Sequence, residues 1–197
     1  MYIKIFSGRI LPREESVMVK GKLDTYDPPT QESVLWERWV AHLDEDTCET
    51  CWNSDGKILR IGDNSVKRPP VHPYCQCHTV PLDAVRAGQA TKSGKDGADW
   101  WIKQFGELPP YYITEAEISA LGWRNGKPPA KYAPGKMITR GIYDNEDHIL
   151  PEAPGRIWYE ADINYYSGKR NRHRLVWSND GLIFVTYDHY ETFLEIL

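Results

Sequence analysis

The stretch WYEADINYYSGKRNRHRLVW, followed shortly by VTYDHYETF, gathers Glu160, Arg170, Arg174 and the run Asp188-His189-Tyr190. These side-chain types suffice to break a phosphodiester without a metal. A carboxylate takes a proton, an imidazole gives one, and guanidinium groups hold the charge that builds between them. RNA carries its own nucleophile, the 2′-OH. In that chemistry Glu160 is the base, His189 the acid, and Arg170 with Arg174 stabilises the pentacoordinate phosphorane. The product is a 2′,3′-cyclic phosphate, and the two roles reverse when water opens it. DNA lacks the 2′-OH and cannot follow this route. Each residue also has a structural explanation. A Glu beside Arg side chains is an ion pair in most proteins, a turn His is solvated, and Lys169 to Arg174 could be a basic strip. The combination, not any one member, points to catalysis.

Such groups must be held by strands. From Met137 onward MITRGIY, RIWYEADIN, RHRLVWS, LIFVTYD and ETFLEI alternate and are broken by turn residues such as Ser178-Asn179-Asp180-Gly181. Period-two alternation places Glu160 and Asp162 on one side of a strand and Arg172 and Arg174 on one side of the next, with Arg170 at the turn and His189 between the last two strands. Helices come first. DGADWWIKQFG follows an Asp able to cap it, with Trp100, Trp101 and Phe105 as its apolar side. Thr114 caps EAEISALG, Glu117 completes a capping box, and Gly122 closes the helix. Helices gathered before an antiparallel sheet make an α+β domain.

The four cysteines all lie in the N-terminal half, Cys48 and Cys51 as CxxC and Cys75 and Cys77 as CxC. Two close pairs suit a structural, tetrahedral zinc, with His72 and His78 able to substitute as ligands. Disulfides or reduced buried thiols are the alternatives. YIKIF and SVMVKGKL read as strands about a break near Pro12. ESVLWERWVAHL, opened by Thr30-Gln31-Glu32, reads as a helix with Val34, Leu35, Trp39 and Leu43 on one face. The cysteines are expected on loops, with a hairpin at Asn53-Ser54-Asp55-Gly56. Residues 83–94 are small, charged and turn-forming, and read as a linker between a module at 1–82 and a domain at 95–197.

The chain has 197 residues, a net charge of -4, 41% hydrophobic residues, 8 Trp and 12 Tyr. No chain-wide basic field recruits nucleic acid, so contact with RNA must be local. No apolar run is long enough for a membrane span, and MYIKIFSGRI lacks the apolar core of a signal peptide. Secretion or delivery by another route, with action in a target cell's cytoplasm, is the expectation.

Two resemblances add to this. Residues from about 36 to 82, with RWV, CETCWNSDGKIL and PPVHPYCQC, resemble the C-terminal part of phage minor head proteins of the Mu F type, implying association with a phage head or descent from one. Residues from about 95 to 197 resemble the barnase-like, guanyl-specific microbial ribonucleases through DGAD, LPPYYIT, ALGW, APGK, GRIWYEADINYYSG, RNRHR and TYDHYETF. That resemblance implies Glu160 as general base, His189 as general acid, Arg170 and Arg174 as phosphate-binding arginines and Tyr190 as the aromatic beside the acid. It implies no metal in catalysis. It also implies a guanine-binding loop at Tyr143, Asp144, Asn145, Glu146 and Asp147, with Asp147 as the base-reading carboxylate.

Two departures stand out. Glu115 occupies the family's active-site lysine position and Glu146 its guanine-loop arginine. Attraction to phosphate and to the acidic inhibitor barstar should fall, with Arg140 and Arg172 as candidates to compensate and a different immunity protein expected. The combined resemblance is to polymorphic bacterial toxins. It implies an endoribonuclease toxin that cleaves RNA after guanine in a competitor. The alternatives are a catalytically impaired prophage head or interaction protein that binds RNA or a protein partner, and a zinc-dependent nuclease.

Overall fold

The computed structural model describes residues 26–197. Nine strands run in chain order as β1 (Gln31–Val40), β2 (Ile58–Arg60), β3 (His78–Val85), β4 (Tyr112–Thr114), β5 (Met137–Tyr143), β6 (Trp158–Asp162), β7 (Arg174–Ser178), β8 (Ile183–Thr186) and β9 (Leu194–Ile196). The helices are short: α1 (Glu49–Trp52), α2 (Ala98–Phe105) and α3 (Glu115–Ala120). All the strands join one sheet in the order β2-β1-β3-β9-β8-β7-β6-β5-β4. The sheet is mixed, because β3 runs parallel to β9 and β4 parallel to β5. With few helices and so much sheet, the expected helices on an antiparallel sheet describe this protein only in part. No helix among the described residues is long and apolar enough to cross a membrane.

The five C-terminal strands form where the alternation placed them, and their period of two sorts the side chains into two cores. Leu175, Ile183, Val185 and Ile196 pack with Ile102 of α2 on one face. Val176, Phe184, Trp158 and Phe193 pack on the other face with Trp36, Ile58 and Leu82 of the N-terminal strands. Burying side chains on both faces explains why β8 is buried at every position. α3 begins at Thr114 with the capping box to Glu117, and Gly122 takes a left-handed φ just beyond its end.

Three expectations are overturned. Residues 31–40 form β1 rather than a helix. Ser33, Trp36 and Trp39 are the buried positions, at a spacing of three that imitates a helical stripe, while Val34 is 80% exposed. The spacing comes from an irregularity in the strand. Glu32 pairs with Asp83 but Glu37 already pairs with Pro81, so the β1 residues between bulge outward. The Ser33 hydroxyl stabilises that bulge by accepting from the N–H groups of Leu35 and Trp36.

Residues 83–94 are not a linker. They include the end of β3, with Ala84, Val85, Ala90 and Thr91 buried. Helix α2 also buries a different side. Ala98, Asp99 and Ile102 face inward, Phe105 is 62% exposed, and Gly97 rather than an Asp is the N-cap. The buried Asp99 carboxylate accepts from the Gly88 and Ala90 N–H groups and from the Thr91 hydroxyl, which ties the segment before α2 to the helix. The strands expected at YIKIF and SVMVKGKL lie outside the described residues.

Glycine at 97 is sterically required. A Cβ there would stand 1.9 Å from Thr91 Oγ1, 2.6 Å from Asp99 Oδ1 and 2.9 Å from the Gly94 carbonyl oxygen. Gly97→Ala is therefore expected to destabilise by about 1–3 kcal/mol or somewhat more, read as a Tm several degrees lower in a thermal melt.

Candidate active site

The sheet register builds rows across one face. Asp162 pairs with Arg174, which pairs with Thr186; Glu160 pairs with Val176, which pairs with Phe184. Glu160 is thus flanked by apolar strand neighbours and is 5% exposed. The Tyr190 hydroxyl donates to Glu160 Oε2. Burial and that bond to the carboxylate hold the Tyr190 phenol well above its usual range, so it stays a donor. The Tyr190 ring stacks on Tyr143 at 5.0 Å between centroids, carrying the site's wall from β5 to the turn after β8.

The arginines form a second layer around Asp162. Arg170 donates to both Asp162 oxygens, Nε at 2.7 Å and Nη2 at 2.6 Å. Arg174 Nε lies 3.1 Å from Asp162 Oδ1, and its Nη1 donates to the carbonyls of Asn171 and His173. One buried carboxylate thus fixes two cations beside Glu160, a fork geometry that Lys could not supply. Arg172, expected on β7, lies before that strand; it is exposed and 3.9 Å from Glu191.

His189 is held by its backbone. His189 and Tyr190 both take left-handed φ, 69° and 74°, a conformation costing roughly 1–3 kcal/mol for each non-glycine residue. A hydrogen-bond lock maintains it. Tyr190 N–H donates to Thr186 Oγ1, and His189 N–H donates to the Arg172 carbonyl. The Asp188 carboxylate accepts from the Thr186 hydroxyl and from the Thr192 N–H and hydroxyl. The imidazole lies against Tyr190, with ring centroids 4.8 Å apart. Its pKa is lowered below the ordinary 6.5, first by partial burial and then by the Arg174 and Arg172 charges. If His189 is the general acid, it acts only while protonated, so its contribution would be lost as pH rises through this lowered value. The descending limb of kcat/KM is expected to centre below pH 6.5, and a limb centred above it in a pH-rate profile would contradict the assignment.

Opposite Glu160 the register of β5 slips. Thr139 pairs with Ala161 and Gly141 with Glu160, leaving Arg140 as the extra residue of a bulge, with Gly141 at φ 80°. The bulge aims Arg140 into the site. Its Nε is 2.8 Å from Glu115 Oε2 and 3.8 Å from Glu160 Oε1. Glu115 therefore serves as the counter-ion of a cation that alternation alone would not have placed there.

Glu115, Arg140, Tyr143, Asp144, Glu146, Glu160 and Tyr190 line a cleft of about 420 Å³, while Arg170, Arg174 and His189 are not among its walls. A contiguous cleft of about 570 Å³ runs along the loop past Asp144, Asn145 and Glu146 to Arg156 and Trp158. Asn145 closes this loop on itself. Its side chain donates to the Leu150 carbonyl and accepts from the Leu150 N–H. Asp147 is exposed and lines neither cleft, whereas Asp144 and Glu146 line both.

A separate cluster lies at the other end of the sheet. Cys48 caps α1 and Cys51 lies inside it, so the first pair is on a helical turn rather than on loops. Cys51 Sγ is 3.6 Å from Cys75 Sγ and 3.3 Å from His72 Nε2. Cys48, Cys51 and His72 form one close trio of donors, and Cys51, Cys75 and Cys77 another. All four cysteines are free. A tetrahedral zinc with bonds of about 2.0–2.3 Å separates its ligands by about 3.3–3.8 Å, and the Cys51–His72 and Cys51–Cys75 distances of 3.3 and 3.6 Å fall in that range. His72 Nδ1 is 2.9 Å from the Pro73 carbonyl, which fixes Nε2 as the nitrogen facing the thiols. His78 lies on β3 and is not in either trio.

Comparison with known proteins decides the family. A ribonuclease family model matches residues 68–197. The chain belongs to this ribonuclease family. It is 49% identical over 102 residues to a protein named Ribonuclease from Heyndrickxia coagulans, a match covering 51% of this chain and 94% of that one. Proteins of the same name from Bacillus intermedius and Bacillus pumilus are also 49% identical over 102 residues, but the match covers only 63% of each. Residues 9–80 match the model for Phage Mu protein F like protein. The ribonuclease therefore joins two recognisable stretches, and membership of the family supports an endoribonuclease acting on RNA without a catalytic metal.

Among the residues gathered in this ribonuclease's cleft region, Asp162 was given no role by sequence reasoning, and Arg140 was named only as a cation that could compensate for Glu115 and Glu146. Asp162 was legible as the same-face neighbour of Glu160, two positions on. Arg140 became a site residue only through the bulge, whose sequence signal is the adjacent Gly141.

Proposed function

We propose that this ribonuclease cleaves single-stranded RNA, preferentially after guanine, by transphosphorylation. The observation that carries the proposal is the buried Glu160 carboxylate, hydrogen-bonded by Tyr190 and two residues along one strand from Asp162, which holds Arg170 and Arg174. Glu160 removes the 2′-OH proton, O2′ attacks phosphorus, and the P–O5′ bond breaks as His189 protonates O5′. Arg170 and Arg174, with Arg140 across the cleft, offset the charge of the phosphorane. Water then opens the cyclic phosphate with the acid and base roles exchanged. Guanine presents N–H donors to the Asp144 and Glu146 carboxylates lining the base cleft, together with backbone groups of Tyr143 to Asp147. Asp147 is not among the residues lining either cleft, which favours its neighbours Asp144 and Glu146 for the carboxylate role.

The N-terminal cysteines are proposed to bind one structural zinc through four of Cys48, Cys51, His72, Cys75 and Cys77. The union of a phage-head-like stretch with a ribonuclease supports a toxin delivered to competing bacteria. Its producer would be protected by an immunity protein other than barstar.

Cleavage of short RNAs with and without a single GpN step, in EDTA, tests the activity. Expected are cleavage after G to a cyclic phosphate, an untouched DNA oligonucleotide, and release of zinc with a lower Tm but persistent cleavage. Failure of well-folded protein to cut either RNA would overturn the proposal. It would favour a second function, a protein that binds RNA or a partner without cleaving, which is supported by the anionic Glu115 and Glu146 in the cleft walls.

A further inference from the structure

We infer that the N-terminal strands are a positioning element for the base-recognition loop, so that base preference depends on a part of the chain outside the ribonuclease fold's catalytic face. This rests on the assignment of Tyr143 to Asp147 as base contacts. The connection is direct. Ile58, the first residue of β2, donates its N–H to the Ile149 carbonyl at 2.9 Å. Ile149 adjoins Leu150, and Leu150 is the residue to which Asn145 is bonded through both its amide oxygen and its amide nitrogen. A backbone bond from β2 therefore anchors the closed end of the loop whose open end carries Asp144 and Glu146.

Packing reinforces that bond. Ile58 is 3% exposed, Trp36 5% and Leu82 2%, and they share one core with Leu150 and Trp158. Tyr143, Ile149 and Tyr190 pack against the same core. The loop thus has N-terminal side chains beneath it and a main-chain anchor at its end. The position of β2 is set in turn by the turn that follows the Cys51 helix. Gly56 N–H donates to the Trp39 carbonyl, and Trp39 N–H donates to the Lys57 carbonyl. Neither Ile58 nor Trp36 bonds to Glu160, Arg170 or His189. Tyr190, packed on the same core, does bond Glu160, but a shift there would slow GpU and ApU cleavage alike, so the ratio between them reports base binding. Ile58 and Trp36 are positioning residues in this sense.

The test uses the full chain carrying Ile58→Ala or Trp36→Ala, with Ile118→Ala as a control. Ile118 is wholly buried but lies in the separate core of α3 and β5. GpU and ApU cleavage is measured by KM and kcat, with hydrogen exchange of residues 145–150 followed in parallel, at a temperature where melts show each variant folded. The expected result is a KM for GpU raised about tenfold with kcat within about twofold, a compressed GpU-to-ApU ratio, and faster exchange in the loop. Ile118→Ala should preserve the ratio. Unchanged exchange and an unchanged ratio in both N-terminal variants would overturn the inference. So would an equal loss of ratio in Ile118→Ala, which would trace the effect to general destabilisation. Faster loop exchange with an unchanged ratio would overturn it too, by showing that the anchored loop does not set preference. A wild type that cleaves GpU and ApU equally would instead mark failure of the base assignment itself.

Discussion

Glu160→Gln is expected to lower kcat/KM for RNA cleavage by about 10²–10⁴-fold, the usual contribution of a positioned general base, while leaving the melt nearly unchanged. Gln keeps the shape and can still accept from the Tyr190 hydroxyl, so the wall of Tyr190 and Tyr143 should persist. What is lost is the ability to take the 2′-OH proton. The charge balance changes as well, because Arg140 stands 3.8 Å from Glu160 and retains only Glu115 as its partner. Substrate phosphate should therefore bind no more weakly, and the defect should fall on kcat rather than KM. In growing bacteria, expression of the wild type is expected to halt growth and the Gln variant to permit it. A variant that cleaves within a few-fold of wild type would remove Glu160 from the mechanism, and arrest by both forms would separate toxicity from cleavage.

Asp162→Asn should affect stability and activity together. Asp162 is 1% exposed, and both Arg170 and Arg174 depend on it. The amide keeps the volume but removes the negative charge between two guanidinium groups that have little access to water. Breaking a buried pair in this way costs about 3–5 kcal/mol, which for a chain of this size lowers Tm by roughly 10 °C. At temperatures where the variant remains folded, cleavage should still fall, because the two arginines are no longer fixed beside Glu160. Arg172→Ala is the contrast, since its pairing with Glu191 is exposed on both sides and contributes little. Normal stability of Asp162→Asn in a thermal melt would show that the arginines find other partners.

Much of the site was legible because strand periodicity is a local property. Glu160 and Asp162, and Arg174 opposite, follow from alternation within two short strands and one turn. The same logic failed wherever the chain departs from regular period. Val34, Leu35, Trp39 and Leu43 suggested a helical face, but β1 bulges so that residues 33–36 stand opposite Leu82 alone on β3, and Val34 is left exposed. Arg140 reached the cleft through another bulge, and His189 is set against Tyr190 by two successive left-handed residues that no propensity scale favours. The supposed linker misled for a different reason. Its small and polar residues suit exposed chain, but Val85 and Ala90 pack in one core with Ile196 of β9 and Ile102 of α2, and Ala84 is buried where it pairs with Glu195. Composition reported their size; only the tertiary partner explained it.

The parallel pairing of β3 with β9 joins Ala84 to Glu195 and Val85 to Ile196, positions near opposite ends of the ribonuclease portion. Contacts so distant in sequence must overcome the entropy of closing a long loop before they repay it. Trp36 and Leu82, which pack with Val176 and Phe184 on the face that carries Glu160, arrive only with that closure. A chain drawn out to pass through a narrow conduit would thus travel without a finished cleft, and cleavage would begin only after the two distant strands had met again on the far side.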